Sequence, residues 1–223
     1  MNVALVVAPV FDDVTGYSCD WSNEIVDLLK TSYNVFAIAG REIGRTEVEE
    51  ALKNGVNLYV HYGHGSEDCH WGSRKVKIVD LKNDVLLGGK EVYCMNCLSA
   101  SKLGRDAVEK RGCIAYYGYT DVFVFSTDAL KEFKQFANAG LKHRLLGYSW
   151  KSTVEFVKEF ADVIAEKLCS EGKYIAASAL KHDASVLVCW EQGSMQKKKS
   201  WLDIIKEYLK RIFKRNKSVC CGV

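Results

Sequence analysis

Apolar residues fall along this chain in two rhythms. Short unbroken runs, such as Val3–Val10 and Val56–His61, alternate with longer stretches in which apolar positions recur every three or four residues. Unbroken runs predict strands covered on both faces, and the helical period predicts amphipathic helices. Together they point to an α/β protein with a mainly parallel sheet and helices on its faces. Strands are expected over Val3–Val10, Val35–Ala39, Val56–His61, Glu91–Met95, Cys113–Tyr119 and Ser185–Trp190. Helices are expected over Trp21–Lys30, Thr46–Lys53, Ser99–Lys110, Ser126–Ala139, Thr153–Cys169 and Lys173–Lys181. Thr46 and Glu49 have the spacing of a capping box. Residues 66–89 break the rhythm, and Trp71–Asp80 with Asp84–Leu87 suggests a small hairpin excursion. The single proline, Pro9, falls at a strand end, where its missing N–H does least harm.

A hydrophobic fraction of 48% over 223 residues is enough for one ordinary domain with an appendage. The expected division is a domain over 1–192, a basic linker over 193–199, and a basic amphipathic helix with its tail over 200–223. The net charge of +3 is too small to call for a nucleic-acid partner, and no nucleic-acid-binding module is recognisable. Met1–Val10 lacks the basic leader and cleavage site of a signal peptide, and no apolar run reaches the roughly 18 residues that cross a bilayer. A cytoplasmic location is therefore expected, with the nine scattered cysteines reduced and most of them buried as small hydrophobes.

Two segments carry candidate chemistry. Tyr59–Gly65 is a strand that ends in His64 between two glycines, and Val92–Ala100 is a strand that ends in Cys97 before a helix. Carboxyl ends of parallel strands line the ligand crevice of such a sheet, so the two residues belong on one rim if their strands are neighbours. A free thiol is only a few per cent ionised at neutral pH, and a nearby imidazole and a helix N-terminus would favour the thiolate. The N–H groups of Gly65 and Cys97 are the candidate oxyanion donors.

The pair Tyr62-Gly63-His64-Gly65 and Asn96-Cys97-Leu98-Ser99-Ala100 resembles the His-Gly and Cys blocks of clan CD cysteine peptidases, which include caspases, legumains, separases, gingipains and CHAT domains. The run from His64 to Trp71-Gly72 is closest to the gingipain and CHAT branch, and Gly112–Asp121 is similar to the strand after the nucleophile helix in those proteins. The resemblance spans roughly residues 1–190. It implies a caspase-like three-layer α/β/α sandwich, a His64–Cys97 dyad, a protein or peptide substrate and no cofactor. It also implies that the pocket for the residue before the scissile bond draws on the loop after the first strand and the segment after the post-nucleophile strand. Those places hold Asp12, Asp13 and Asp121, with Asp20 farther along, and no arginine, which favours a basic substrate residue.

Other readings stay open at this point. A caspase-like module without turnover would keep the same motifs. Cys94 and Cys97 have zinc-ligand spacing, with His61, His64, Cys69 and His70 near them in sequence, although a strand turns alternate residues to opposite faces. The apolar stripe from Trp201 to Phe213, flanked by lysines and arginines, suits a packed helix, a protein contact or an anionic membrane surface. Cys220-Cys221-Gly222-Val223 superficially resembles a lipidation signal.

Overall fold

The apolar runs become a sheet, and the amphipathic stretches wrap it. In chain order the elements are β1 (Val3–Pro9), α1 (Asp13–Leu29), β2 (Asn34–Gly40), α2 (Arg45–Lys53), β3 (Leu58–Tyr62), β4 (Gly65–Ser66), β5 (Cys69–Trp71) and β6 (Lys77–Asp80). There follow β7 (Glu91–Met95), α3 (Leu103–Arg111), β8 (Ala115–Tyr119), α4 (Leu130–Leu145), α5 (Trp150–Ser170), α6 (Tyr174–Val186) and β9 (Leu187–Glu191). This computed structural model describes residues 2–193. Apart from Gly193, the expected basic linker, the terminal helix and the terminal cysteines fall on 194–223, outside the described residues.

Six strands form the central sheet in the order β2-β1-β3-β7-β8-β9. All neighbours run parallel except β9, which returns antiparallel to β8. Strand alternation sends Leu58, Val60, Tyr62, Tyr93, Met95, Tyr117 and Tyr119 into one core shared with α1, α4, α5 and α6. The opposite face carries Tyr59, His61, Cys94 and Tyr116, buried beneath α2, α3 and a small antiparallel sheet, β4-β5-β6. The result is a three-layer α/β/α sandwich. No described helix is long and apolar enough to cross a membrane, and all seven described cysteines are free.

Several boundaries differ from the sequence reading, each for a local reason. α1 starts at Asp13 rather than Trp21, because Asp12 caps it: the Asp12 carboxylate accepts from Thr15 N–H, and the Thr15 hydroxyl takes the Asp12 N–H in return. The proposed Thr46–Glu49 box does not form. Gly44 is the N-cap of α2, and Glu49 accepts instead from Arg45 Nε at 2.7 Å. α3 starts at Leu103 rather than Ser99, so Cys97 is separated from it by a turn. The excursion is a three-stranded sheet rather than a hairpin.

Candidate active site

Register decides what meets at the rim. β3 and β7 are direct neighbours, with Tyr62 opposite Met95, and the Gly63 N–H donates to Met95 O at 3.2 Å. Two residues past each of those partners come His64 and Cys97. Gly65 then lies hard against the nucleophile turn: a Cβ built there would sit 2.8 Å from the Cys97 carbonyl oxygen and 2.9 Å from Asn96 Cγ, closer than real Cβ atoms approach. Only glycine lets the His64 loop and the Cys97 turn touch in this way.

His64 is half-exposed and turned toward the first strand. Its Nε2–H donates to Asp12 Oδ2 at 2.8 Å, and its ring packs 5.4 Å from the Phe11 ring. With Nε2 engaged, the imidazole lone pair lies on Nδ1, the nitrogen left to take a proton. Burial works to raise the Asp12 carboxyl, but hydrogen bonds from the Thr15 backbone, the Thr15 hydroxyl and His64 outweigh it and hold Asp12 below its ordinary value. Asp12 is thus both the cap of α1 and the partner of His64.

Cys97 is half-buried, and its thiol donates to Phe123 O at 3.8 Å. Burial pushes the thiol above its ordinary value against a lowering backbone contact at Phe123, and the charges of Asp183 and Asp121 add to the rise. The helix N-terminus expected to favour the thiolate is not at hand, because α3 begins six residues later, too far for its end to act on the sulfur. Leu98, the next residue, has a left-handed backbone with φ 63°. That conformation costs an L-residue roughly 1 kcal/mol or more. Bonds from Leu98 N–H to Asp121 O (3.0 Å) and from Ala100 N–H to Tyr119 O (3.1 Å) hold the turn to the end of β8.

The β4–β5 ladder fixes the direction of one oxyanion candidate. Trp71 N–H donates to His64 O at 3.1 Å, which makes Gly65–His70 the non-hydrogen-bonded pair of the β4–β5 ladder. The Gly65 N–H therefore points away from β5.

Beneath the rim runs a buried chain of hydrogen bonds absent from the sequence reading. His61 Nε2–H donates to Trp71 O (3.1 Å), and Asn96 Nδ2–H donates to His61 Nδ1 (2.8 Å). The Ser99 hydroxyl donates to Asn96 Oδ1, and the Tyr116 hydroxyl to Ser99 Oγ (2.8 Å). His70 Nε2–H then donates to the Tyr116 oxygen (2.6 Å), and the Tyr59 hydroxyl to His70 Nδ1 (3.2 Å). The two imidazoles stack at 4.7 Å. Burial holds both in the neutral form, lowering His61 to about 4.

The proposed pocket aspartates separate. Asp12, Asp13 and Asp20 line one cavity of about 750 Å³ at the ends of β1 and β2, with Tyr17, Arg41 and Arg74. Asp121 stands apart from them, exposed, with its carboxylate on the Val122 N–H (2.7 Å). The zinc set does not assemble: Cys94 is buried against His70 (3.3 Å), whereas Cys97 reaches Phe123 O. No group of three potential ligands occurs among the described residues.

By sequence, no family model matches this chain, and no curated protein matches it. By structure, 86% of it superposes on three chains. Saccharomyces cerevisiae separase, in its complex with securin, matches at TM-score 0.56 and 15% identity over 12% of its own length. Porphyromonas gingivalis RgpB, from the complex of its pro- and mature domains, matches at TM-score 0.56 and 13% identity over 47% of its length. The Arg-specific cysteine proteinase gingipain R matches at TM-score 0.54 and 14% identity over 46% of its length. The present chain thus spans less than half the length of each, and it shares their caspase-like fold.

Proposed function

We propose that this chain is a cysteine endopeptidase in which His64 and Cys97 form the working pair. The observation that carries the reading is the register of β3 on β7, which sets the His64 loop and the Cys97 turn side by side through the Gly65 contact. In the proposed cycle the Cys97 proton passes to His64 Nδ1 as sulfur attacks the scissile carbonyl carbon. The carbonyl oxygen takes the electron pair and is met by the N–H groups of Gly65 and Cys97. When the tetrahedral centre collapses, the C–N bond breaks and His64 returns the proton to the leaving amine. Water, deprotonated by His64, then releases the acyl group and restores the thiol.

Cleavage after arginine or lysine is the accompanying proposal. Asp13 and Asp20, with the His64-bound Asp12, share a cavity with Arg41 and Arg74, and the three carboxylates outnumber the two guanidinium groups there, as a cationic substrate side chain needs. Asp121, whose charge reaches Cys97, is the other candidate for that contact. The test is a panel of fluorogenic peptides varied at the residue before the scissile bond. Peptides with arginine or lysine there should be hydrolysed by the native protein and left intact by Cys97→Ala, and His64→Ala should lose on the order of 10²–10⁴ in rate.

A non-catalytic module is the second reading. It is favoured by the separate engagements of the two residues, His64 with Asp12 and Cys97 with Phe123 O. Catalytic hydrogen bonds are often long before substrate arrives, so the same geometry suits a resting enzyme. An arginine-based thiol-reactive probe separates the two: His64-dependent labelling of Cys97 supports the enzyme, and its absence supports the module.

A further inference from the structure

α6 carries one carboxylic acid that the peptidase reading leaves without a role. Asp183 is fully buried at the end of that helix. Its Oδ1 accepts from the Val124 N–H at 2.9 Å, and its Oδ2 has no hydrogen-bond partner among the described residues. An orphaned carboxylate oxygen in a native interior is costly and calls for an explanation.

The explanation lies in one peptide group. The thiol of Cys97 donates to the carbonyl of Phe123, and the next N–H along the chain, that of Val124, donates to Asp183. Both groups belong to the single Phe123–Val124 peptide. A trans peptide points its C=O and N–H in opposite directions, so the thiol and the carboxyl sit on its two sides, coupled through its dipole. α6 fixes the rest of the loop as well: His182 Nε2–H donates to Val122 O (3.0 Å), and the Thr120 N–H (3.0 Å) and hydroxyl (3.1 Å) donate to Val186 O.

We propose that Asp183 is a positioning residue for Cys97, acting through the Phe123–Val124 peptide that both side chains engage. A negative Asp183 drawing on the Val124 N–H makes Phe123 O a stronger acceptor, since hydrogen bonds in series polarise one another. The thiol proton is then held more firmly, and the field of the carboxylate opposes a second negative charge on sulfur. A neutral Asp183 relaxes both effects. Burial pushes this carboxyl up to about 8, against the one opposing bond from Val124, so the change falls in the range where thiols ionise.

The groups around Asp183 limit the alternatives. Its charge acts on Cys97 at the end of β7 and on Tyr119 at the end of β8, and Asp121 adds to the field at Cys97. On α6 itself, His182 is committed to Val122 O. From α5, the buried residues Ala161, Ile164, Ala165 and Leu168 join the apolar core that α6 also enters. No ion pair reaches the carboxylate among the described residues.

The proposal goes beyond the peptidase reading and does not need turnover. The measurement is the rate of Cys97 alkylation by iodoacetamide from pH 6 to pH 10, resolved by peptide mass spectrometry so that other cysteines do not intrude. Two coupled acids titrate in overlapping steps, so the wild-type curve should rise more gradually than one ionisation. Asp183→Asn keeps an oxygen for the Val124 N–H and loses the charge. Its curve should follow a single ionisation, match wild type at pH 6, and exceed it by roughly tenfold at pH 9. Superimposed curves across the range would overturn the proposal. If the variant does not fold, the wild-type protein alone decides: the Asp183 carboxyl ¹³C resonance should titrate together with the departure of the Cys97 curve from one ionisation. Titration of that resonance in the ordinary carboxylate range would equally sink the idea.

Discussion

Asp12 has two duties that can be separated by substitution. Its carboxylate caps α1 through Thr15 and also accepts from His64 Nε2–H. Serine at this position can cap the helix but is too short to reach the imidazole. Asp12→Ser should therefore keep the melting temperature close to wild type and lower kcat on a cleaved peptide by about tenfold or more. Asp12→Ala should lose both, with about 1 kcal/mol of stability going with the cap. Thermal melts alongside steady-state kinetics check the pair, and a Ser variant with full turnover would contradict the orienting role. Gly65 gives a second case. The Cβ of Gly65→Ala would push against the Cys97 carbonyl and Asn96, so the variant should stay folded and lose turnover, with correspondingly slower His64-dependent labelling of Cys97. At this scale the closeness of the His64 loop and the Cys97 turn was legible from motif and context. The Asp12–His64 pair was not, because the sequence reading gave Asp12 to a substrate pocket, although the Asp12-x-x-Thr15 spacing marks a helix start. Asp183 also went unread, although it is the one acid between Tyr174 and Val188.

At the scale of elements, alternation along strands β3 and β7 places His61 and Cys94 on one face and leaves His64 and Cys97 beyond the strand ends. The strands were legible as apolar runs because their faces are covered. The helix starts were not, since α1 opens with small and polar residues and α3 follows a turn whose shape depends on left-handed Leu98. The buried chain from Trp71 O to Tyr59 was invisible for a different reason: it joins β3, β5, β7 and β8, and only register brings them together. Its consequence is a pH dependence with a definite sign. An unfolded histidine takes a proton near pH 6.5, whereas buried His61 resists until about 4, so the unfolded chain binds more protons between those values. The His61 contribution to stability is present above pH 6.5 and is lost as pH falls to about 4, at up to about 3 kcal/mol. Buried His70 shifts in the same direction. Urea midpoints should drop over that interval in wild type and fall less steeply in His61→Gln.

Across the whole molecule, the fold rests on a tyrosine-rich core against which α4 must lie close. Tyr93 and Tyr117 stack at 4.5 Å with Trp150 beside them, and a Cβ on Gly140 would come within 2.6 Å of the Tyr117 hydroxyl oxygen and 3.0 Å of the Tyr93 ring. Gly140→Ala should therefore cost about 1–3 kcal/mol, roughly 2–12 °C in melting temperature, by lifting α4 from the sheet. A calorimetric scan of the variant that matches wild type would mean the core has slack that the contact distances do not show. The sandwich architecture was legible from the sequence because it follows from the alternation of periods, whereas the antiparallel return of β9 depends on α6 ending beside β8.

The bond from the Cys97 thiol to a backbone carbonyl carries a cost and a benefit for the life of the protein. Peroxide attacks thiolates far faster than thiols, and over-oxidation to the sulfinic acid is a one-way loss for most cysteines. A sulfur that waits in its neutral form, half-covered and tied to the chain, should survive long exposure to air that would inactivate a permanently ionised nucleophile.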